Sequence, residues 1–282
     1  MALSSSNALN ELMAALGTNS SRLVIDKANI ASQGAGSFVS LWRATGQPGQ
    51  GAIPGAAAVC NNTLTGCFGF AQQTSPVTSY AAYSYAVSSN AAMVVEIHDR
   101  LMHMGGLSGT VTTAQTVGID LSANLATSNL DARKGDANYS DVQWWLEWYT
   151  ATGATVVTAT VAVTYNDAST GNLSAISLAA TRPASFMVAL NSYIPAAKSG
   201  FYIRHVNTVT LSATTGTAGS FGVTATKPRL IMPLLLANKT ESFDWAALGL
   251  PEIANSSCLF PLVLTSTTST GTLRGGGKIA HA

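Results

Sequence analysis

The stretch at residues 141–172, DVQWWLEWYTATGATVVTATVAVTYNDASTGN, decides the fold class. Three tryptophans and a tyrosine fall within six residues, and β-favouring threonine and valine follow them. With a period of two, a strand would carry Val142, Trp144, Leu146 and Trp148 on one face and Gln143, Trp145, Glu147 and Tyr149 on the other. A helix would scatter the tryptophans, so the pattern favours a strand with Trp144 and Trp148 in the core.

The residues after this strand predict a hairpin. Thr152 and Gly153 form a turn signal, and residues 156–165 alternate again between valine or alanine and threonine. Turn-forming residues then occupy 166–172, before an apolar pattern resumes at Leu173. The segment therefore reads as an antiparallel meander with one solvent-facing side.

Further strands are predicted throughout the middle of the chain, with turn signals every few residues. Their ranges are 36–44, 92–98, 111–121, 142–150, 156–165, 173–179, 185–190, 202–213, 220–225 and 229–236. Short strands at this spacing indicate a mainly β protein, an antiparallel β-sandwich or jelly roll. We predict a helix and loop-rich region at 1–90, a β-sandwich domain at 91–236 and an extended C-terminal tail at 237–282.

The first residues predict a short amphipathic helix. Ser6 or Asn7 would cap it, and one stripe would carry Leu9, Leu12, Met13 and Leu16. Such a helix either docks on its own domain or serves as an arm on a neighbouring subunit. No apolar run reaches the roughly 18 residues that a membrane span requires, so we expect no membrane partner.

The C-terminal tail contains the apolar run SCLFPLVL at 257–264, which is too apolar for a solvated surface. Because the strands of 91–236 are expected to close a core by themselves, the tail is interpreted as an arm that crosses onto another subunit. Trp145, on the outer face of its strand, is expected at an interface or under a loop. The interface candidates are Trp145, Leu259, Phe260, Leu262 and Leu264.

The composition points to assembly rather than to nucleic acid. Only 10% of the 282 residues are charged, against roughly a quarter in ordinary soluble domains. Such a surface carries little charge repulsion between copies, which favours wide subunit contacts. The net charge is +1 and the basic residues are spread singly, whereas phosphate binding requires clustered lysine and arginine.

The three cysteines, Cys60, Cys67 and Cys258, match no common metal-ligand spacing. A disulfide between Cys60 and Cys67 is one alternative, and buried free thiols are the favoured one for a chain made in a reducing cytosol.

No pattern of catalytic residues emerges. The run EIHDRLMHMGG places His98 and His103 at a spacing that differs from the helical metalloprotease pattern, so a structural role is favoured. The glycine-rich segment 46–55 lacks the Lys-Ser/Thr ending of a phosphate loop. We therefore predict no enzyme, no cofactor and no metal.

Three consecutive segments carry a family resemblance: DVQWWLEWY, then TATVAVTYNDASTGN, then VNTVTLSATTGTAGSFGVTATKPRLIMPLL. Together they resemble a block found in virion structural proteins of tailed bacteriophages. The similarity spans about residues 141–236 and is strongest at 206–228, while the hairpin turn YNDASTGN departs from the usual one. The resemblance implies a non-enzymatic particle component with no binding residues to carry over.

Three classes of function fit the sequence. The favoured one is a virion structural protein that is assembled in the host bacterial cytoplasm, most simply a head decoration or cement protein. It would form trimers or larger homo-oligomers and contact the major capsid or other virion proteins. A neck or tail component and a host-surface glycan-binding β module, which would stack sugars on tryptophan, are the alternatives. The third class is a pore-forming toxin, whose hairpins would alternate as residues 156–178 do, but a toxin would also need a secretion route and none is visible in the sequence.

Overall fold

The computed structural model describes residues 8–282 and is mainly β, with antiparallel sheets and a short N-terminal helix, which confirms the predicted fold class. The helices are α1 (Ala8–Thr18), α2 (Leu130–Lys134) and α3 (Trp245–Leu248). The strands are β1 (Ser20–Lys27), β2 (Phe38–Ser40), β3 (Gly46–Gln47), β4 (Ala58–Val59), β5 (Ser79–Ser88), β6 (Met93–Leu107), β7 (Gln115–Asp120), β8 (Gln143–Thr150), β9 (Val157–Tyr165), β10 (Thr170–Asn172), β11 (Ile176–Leu178), β12 (Phe186–Ala189), β13 (Ile203–Leu211), β14 (Ser220–Leu234), β15 (Glu241–Asp244), β16 (Glu252–Ile253), β17 (Leu259–Thr265) and β18 (Leu273–His281).

The chain divides into two compact units, and neither is a continuous segment. Unit 1 is formed by the described residues of Met1–Gly51 together with Asn61–Asp99 and Pro228–Ala282, and unit 2 by Ala52–Cys60 and Arg100–Lys227. Unit 2 thus takes most of its residues from the predicted central zone. Unit 1 takes residues from all three predicted zones.

Unit 2 is built from two sheets that face a common core. One sheet has the order β10-β9-β13-β7, with β11 also on β9, and in the other β8 pairs with both β12 and β14. The alternating apolar residues of both sheets meet in the core, as period two predicts. They include Ile119, Val161, Val206, Trp144, Trp148 and Phe221.

The aromatic cluster anchors this core. Trp148 stacks on Phe221 with ring centroids 5.6 Å apart and meets Phe186 edge-on at 5.9 Å. The Trp144 indole N–H donates to the Ile203 carbonyl at 2.8 Å. Both tryptophans are buried, which confirms the predicted inward face of the strand.

The other face of β8 is also buried, contrary to the predicted solvent-facing side. Trp145, Glu147 and Tyr149 are all buried, and the Trp145 indole N–H donates to Thr226 Oγ1 at 2.8 Å. The alternation correctly separates the two faces. The alternation does not reveal that the second face is buried as well, or that Glu147 on this face forms an ion pair with Arg100.

Unit 1 contains a six-stranded sheet in the order β15-β5-β18-β1-β3, with β16 also on β5. In its second set of strands, β17 pairs with β2 along one edge and with β6 along the other. The unit has its own core, to which the two sets contribute Leu23, Ile25, Val39, Val95, Val263 and Ile279.

The C-terminal segment is therefore part of the chain's own core, and the prediction of an extended arm at 237–282 is wrong. β17 pairs with β6 from Leu259 opposite Asp99 to Thr265 opposite Met93, and β18 lies between β5 and β1. SCLFPLVL is apolar because β17 is buried on both faces, with every residue from Leu259 to Val263 buried. The strands of 91–236 are shared between two units and do not complete both cores.

Helix α1 docks on its own chain, the first of the two alternatives. Leu12 and Ala15 pack against Ala82, Ala280 and Ala282. The predicted caps Ser6 and Asn7 lie outside the described residues.

Candidate assembly surface

An apolar groove of about 430 Å³ opens on the surface of unit 1. Its walls come from residues 92–94 of β6, 264–266 at the end of β17 and 233–235 at the end of β14, with Gly36. None of the ten lining residues is charged. The groove therefore offers apolar contact area with no charge to bury.

The groove is formed where β14 ends in the run LIMPLLL at 230–236. Alternation directs Leu230, Met232 and Leu234 into the unit 1 core. The residues between and after them are also apolar and face water: Ile231 is 57% exposed, Leu235 64% and Leu236 60%. A strand end that is apolar on both sides and exposed on one indicates a contact surface.

Of the five predicted interface residues, Leu264 alone lies in this groove. The structure buries the other four, Trp145, Leu259, Phe260 and Leu262, inside the chain. The Phe260 ring, for example, meets Trp42 edge-on at 6.1 Å. Sequence reasoning identified the apolar run of the tail but could not separate its solvent-facing end from its buried middle.

Sequence reasoning missed Ile231, Leu235 and Leu236 as surface residues, although it predicted a strand at 229–236. The available signal was the absence of any polar residue in either register of LIMPLLL. A strand with a solvated face normally alternates with polar residues, and this one does not.

A second exposed apolar pair lies on α1. Leu9 and Met13, one helical turn apart, are 54% and 57% exposed, while Leu12 and Ala15 are buried. In unit 2, Val156 is exposed to a similar degree, at 60%, but it is an isolated residue immediately before β9. Isolated exposed residues are ordinary, so it is the clustering around the groove that is informative.

Unit 2 contains a buried polar network that is centred on the ion pair of Arg100 and Glu147. Arg100 donates through Nη1 and Nη2 to the two Glu147 oxygens, at 3.2 and 2.6 Å, and through Nε to His103 Nδ1 at 3.0 Å. The Tyr149 and Thr224 hydroxyls donate to Glu147 Oε2 at 3.2 and 2.5 Å. The network sits on the second face of β8.

Burial and charge set the pKa values in this network. Burial is the largest single effect on Arg100 and opposes its positive charge, but the charge and hydrogen bond of Glu147, with smaller contributions from Tyr149 and Cys60, together raise the pKa of the guanidinium above its ordinary value. Burial first, and the same carboxylate second, raises the pKa of Tyr149. Since Arg100 and Glu147 are fully buried, neither side chain is accessible to a substrate.

The histidines singled out in the sequence have structural partners. His98 is buried, and its Nε2 lies 2.6 Å from Glu96 Oε2. His281 lies between Ser21 and Ser79, at 2.8 and 2.9 Å, and burial lowers its pKa. Among residues 8–282, no group of three or more histidine, cysteine or acidic side chains is placed to hold a metal ion.

The three cysteines are buried thiols in the structure, in agreement with the favoured alternative. In the part of the chain that the structure describes, no helix combines the length and the apolar character needed to cross a membrane.

Comparisons with known proteins give no family. No family model matches the chain, and no curated protein matches it. Among solved structures, the T13 viral particle of infectious bursal disease virus aligns at 9% identity over 94% of this chain and 78% of that one, with a TM-score of 0.18. The Gt strain structure of the same virus aligns at 11% identity over 93% and 81%, with a TM-score of 0.16. Scores this low do not establish a common fold.

Proposed function

We propose that this protein is a non-enzymatic structural subunit of a virus particle, which assembles through contacts between subunits. The observation that carries the proposal is the uncharged groove of unit 1 with its exposed leucines, Leu235 and Leu236. A chain with 10% charged residues and a net charge of +1 has little electrostatic repulsion to keep such surfaces apart.

The finer assignment follows from the resemblance of residues 141–236 to virion structural proteins of tailed bacteriophages. Within that class we propose a head decoration or cement protein that forms trimers or larger homo-oligomers and contacts the major capsid protein. A neck or tail component is the alternative. The site of action is then the virion, after assembly in the bacterial cytoplasm.

A glycan-binding module has less support. That alternative relied on tryptophan faces for sugar stacking. Trp144, Trp145 and Trp148 are all buried, so none of them presents a face to a ligand.

The groove is tested with one charge placed in it and one placed elsewhere. Leu235→Asp puts a carboxylate at the groove, and Val156→Asp puts the same group at an equally exposed position of unit 2. Burying one leucine supplies about 1.5–3 kcal/mol, so its loss weakens association about 10- to 100-fold. Analytical ultracentrifugation measures this change in each variant.

We expect wild type and Val156→Asp to sediment as trimers or larger species at micromolar concentration and to co-sediment with particles, while Leu235→Asp shifts towards monomer. A monomeric wild type that does not co-sediment with particles would contradict the proposal. Equal behaviour of the two variants would remove the groove as the contact surface.

A further inference from the structure

Strand β1 has an open edge. β18 pairs with it along its whole length, from Ser20 to Lys27, whereas β3 pairs only with Asp26 and Lys27 on the other side. In residues 8–282, no strand continues the ladder beside Arg22 and Val24.

The hydrogen bonds at the two ends of β1 show which way its backbone groups point. Asn19 accepts from the His281 N–H on the β18 side, and the Ala28 N–H donates to the Thr45 carbonyl on the β3 side. Backbone groups alternate along an antiparallel strand, so residues of even number share the direction of Ala28. Arg22 and Val24 therefore point their N–H and C=O groups to the open edge.

Lys27 accounts for the opening. Its side chain is fully buried, and its ammonium donates to the Ala44 and Pro48 carbonyls at 3.0 and 2.6 Å. These bonds draw the chain after β3 around the ammonium instead of along β1.

A groove of about 340 Å³ runs beside the open edge. Arg22 and Val24 line one side, and Leu64, Thr65 and Phe68 contribute to the rest. The lining mixes polar and apolar groups, as a site for an extended peptide does, since the backbone of such a peptide needs hydrogen bonds and its alternate side chains need contacts.

The chain itself contains a segment of suitable length and chemistry. Residues 1–7, MALSSSN, precede α1, carry no charged side chain and include no proline. Extended, seven residues span up to about 23–25 Å, several times the length of the open edge.

We propose that the open edge of β1 receives residues 1–7 of a second copy as an added strand. This inference rests on the proposed function, because it names a second contact through which subunits associate, besides the apolar groove at Leu235. The contact joins different surfaces of two copies, the N-terminal segment of one and the β1 edge of the other. Residues 1–7 of the same copy and a different protein are the other occupants that the test separates.

Cross-linking between two differently tagged copies tests the occupant. One copy carries Ala2→Cys, Leu3→Cys or Ser4→Cys in turn, and the other carries Val24→Cys. Both also carry Cys67→Ser, because Cys67 lines the groove and would compete. The copies are mixed, dissociated, reassembled and mildly oxidised.

A disulfide between the two tags at one of the three positions is expected. A disulfide that forms only within single chains carrying both cysteines would overturn the proposal in favour of the chain's own segment. Assembled protein without any cross-link would also overturn it, while leaving the proposed function intact. A failure of wild type to assemble would instead refute both.

A proline at the edge provides an independent measurement. Val24→Pro removes the outward N–H but spares the ladder to β18, which uses the residues of odd number; prolines are tolerated on such edges. We expect association at least tenfold weaker, with an unchanged melting temperature and an unchanged circular dichroism spectrum. The matched Val24→Thr keeps the N–H and should assemble normally.

Deletion of residues 2–7 leaves β1 intact and should weaken association as Val24→Pro does. Normal assembly of the deletion variant would overturn the proposal even if Val24→Pro failed to fold.

Discussion

Replacing Glu147 by leucine should destabilise unit 2 more than any other single substitution in its polar network. The carboxylate lies at the centre of the network, where it faces both Arg100 amino groups and accepts from the hydroxyls of Tyr149 and Thr224. β8 is an internal strand, and Glu147 lies opposite Met187 on one side and Gly222 on the other.

The magnitude follows from what remains after the substitution. Leucine fills nearly the same volume, so no large cavity forms, but Arg100 keeps a buried positive charge without its counter-charge. Breaking a buried pair in this way costs about 3–5 kcal/mol. A domain of this size loses about 2–4 °C of melting temperature per kcal/mol, which gives a drop of about 6–20 °C.

Urea titration followed by tryptophan fluorescence measures the change, with Glu252→Leu on the exposed face of β16 as the matched control. The double variant Arg100→Leu/Glu147→Leu should recover most of the loss, because it removes both charges. A cost below about 1 kcal/mol for Glu147→Leu, or a double variant as unstable as the sum of the two singles, would refute the reasoning.

Three further outcomes are expected. Burial lowers the pKa of Lys27 from 10.5 to about 8, so between these pH values the unfolded chain holds a proton that the folded chain has lost. The unfolding free energy of wild type should therefore rise relative to that of Lys27→Met as the pH rises through this window. A difference between the two that stays constant with pH in urea titrations would contradict this expectation. Trp144→Ala should cost about 3–5 kcal/mol in urea, against a much smaller loss for the half-exposed control Trp245→Ala. Deletion of 255–282 removes β17 and β18 and should abolish much of the β signal in circular dichroism, whereas an unchanged spectrum would restore the arm interpretation.

The strands with β-branched and aromatic alternation could be predicted from sequence. β8, β9 and β13 lie within one or two residues of their predicted bounds. Side chains alternate between the two faces of any strand, so this pattern can be read from the local sequence. β14 is one continuous strand where two, at 220–225 and 229–236, are predicted.

β1, β5 and β18 were not predicted as strands, and of the three β18 has the weakest strand propensity. β18 reads LRGGGKIAH, and glycine lowers the expectation of a strand. The structure needs glycine there for a tertiary reason: a Cβ on Gly276 would lie 2.6 Å from the Leu23 carbonyl oxygen of the neighbouring strand. Such a requirement is set by a partner about 250 residues away and leaves no local signal.

The sequence predicts that an apolar contact surface exists, but it does not predict which residues form that surface. Leu264 and Phe260 belong to the same apolar run, yet one lines a groove and the other is fully buried. The difference depends on where the neighbouring strands stop, which pattern and composition do not encode. An apolar run indicates that a segment is buried, but it does not indicate whether the segment is buried within its own chain or against another subunit.

The position of β18 between β5 and β1 constrains the order of events during synthesis. Ser20 finds its partner, Ala280, only after some 260 further residues have been translated. At roughly 5–20 residues per second, the N-terminal strand waits about 13–50 seconds on the ribosome with one edge unsatisfied. Unit 2 can complete its sheets during that interval, since its residues end at Lys227. Ribosome-bound chains stopped after unit 2 has left the exit tunnel but before β18 is translated should accordingly contain a protease-resistant unit 2 beside a unit 1 that chaperones still recognise.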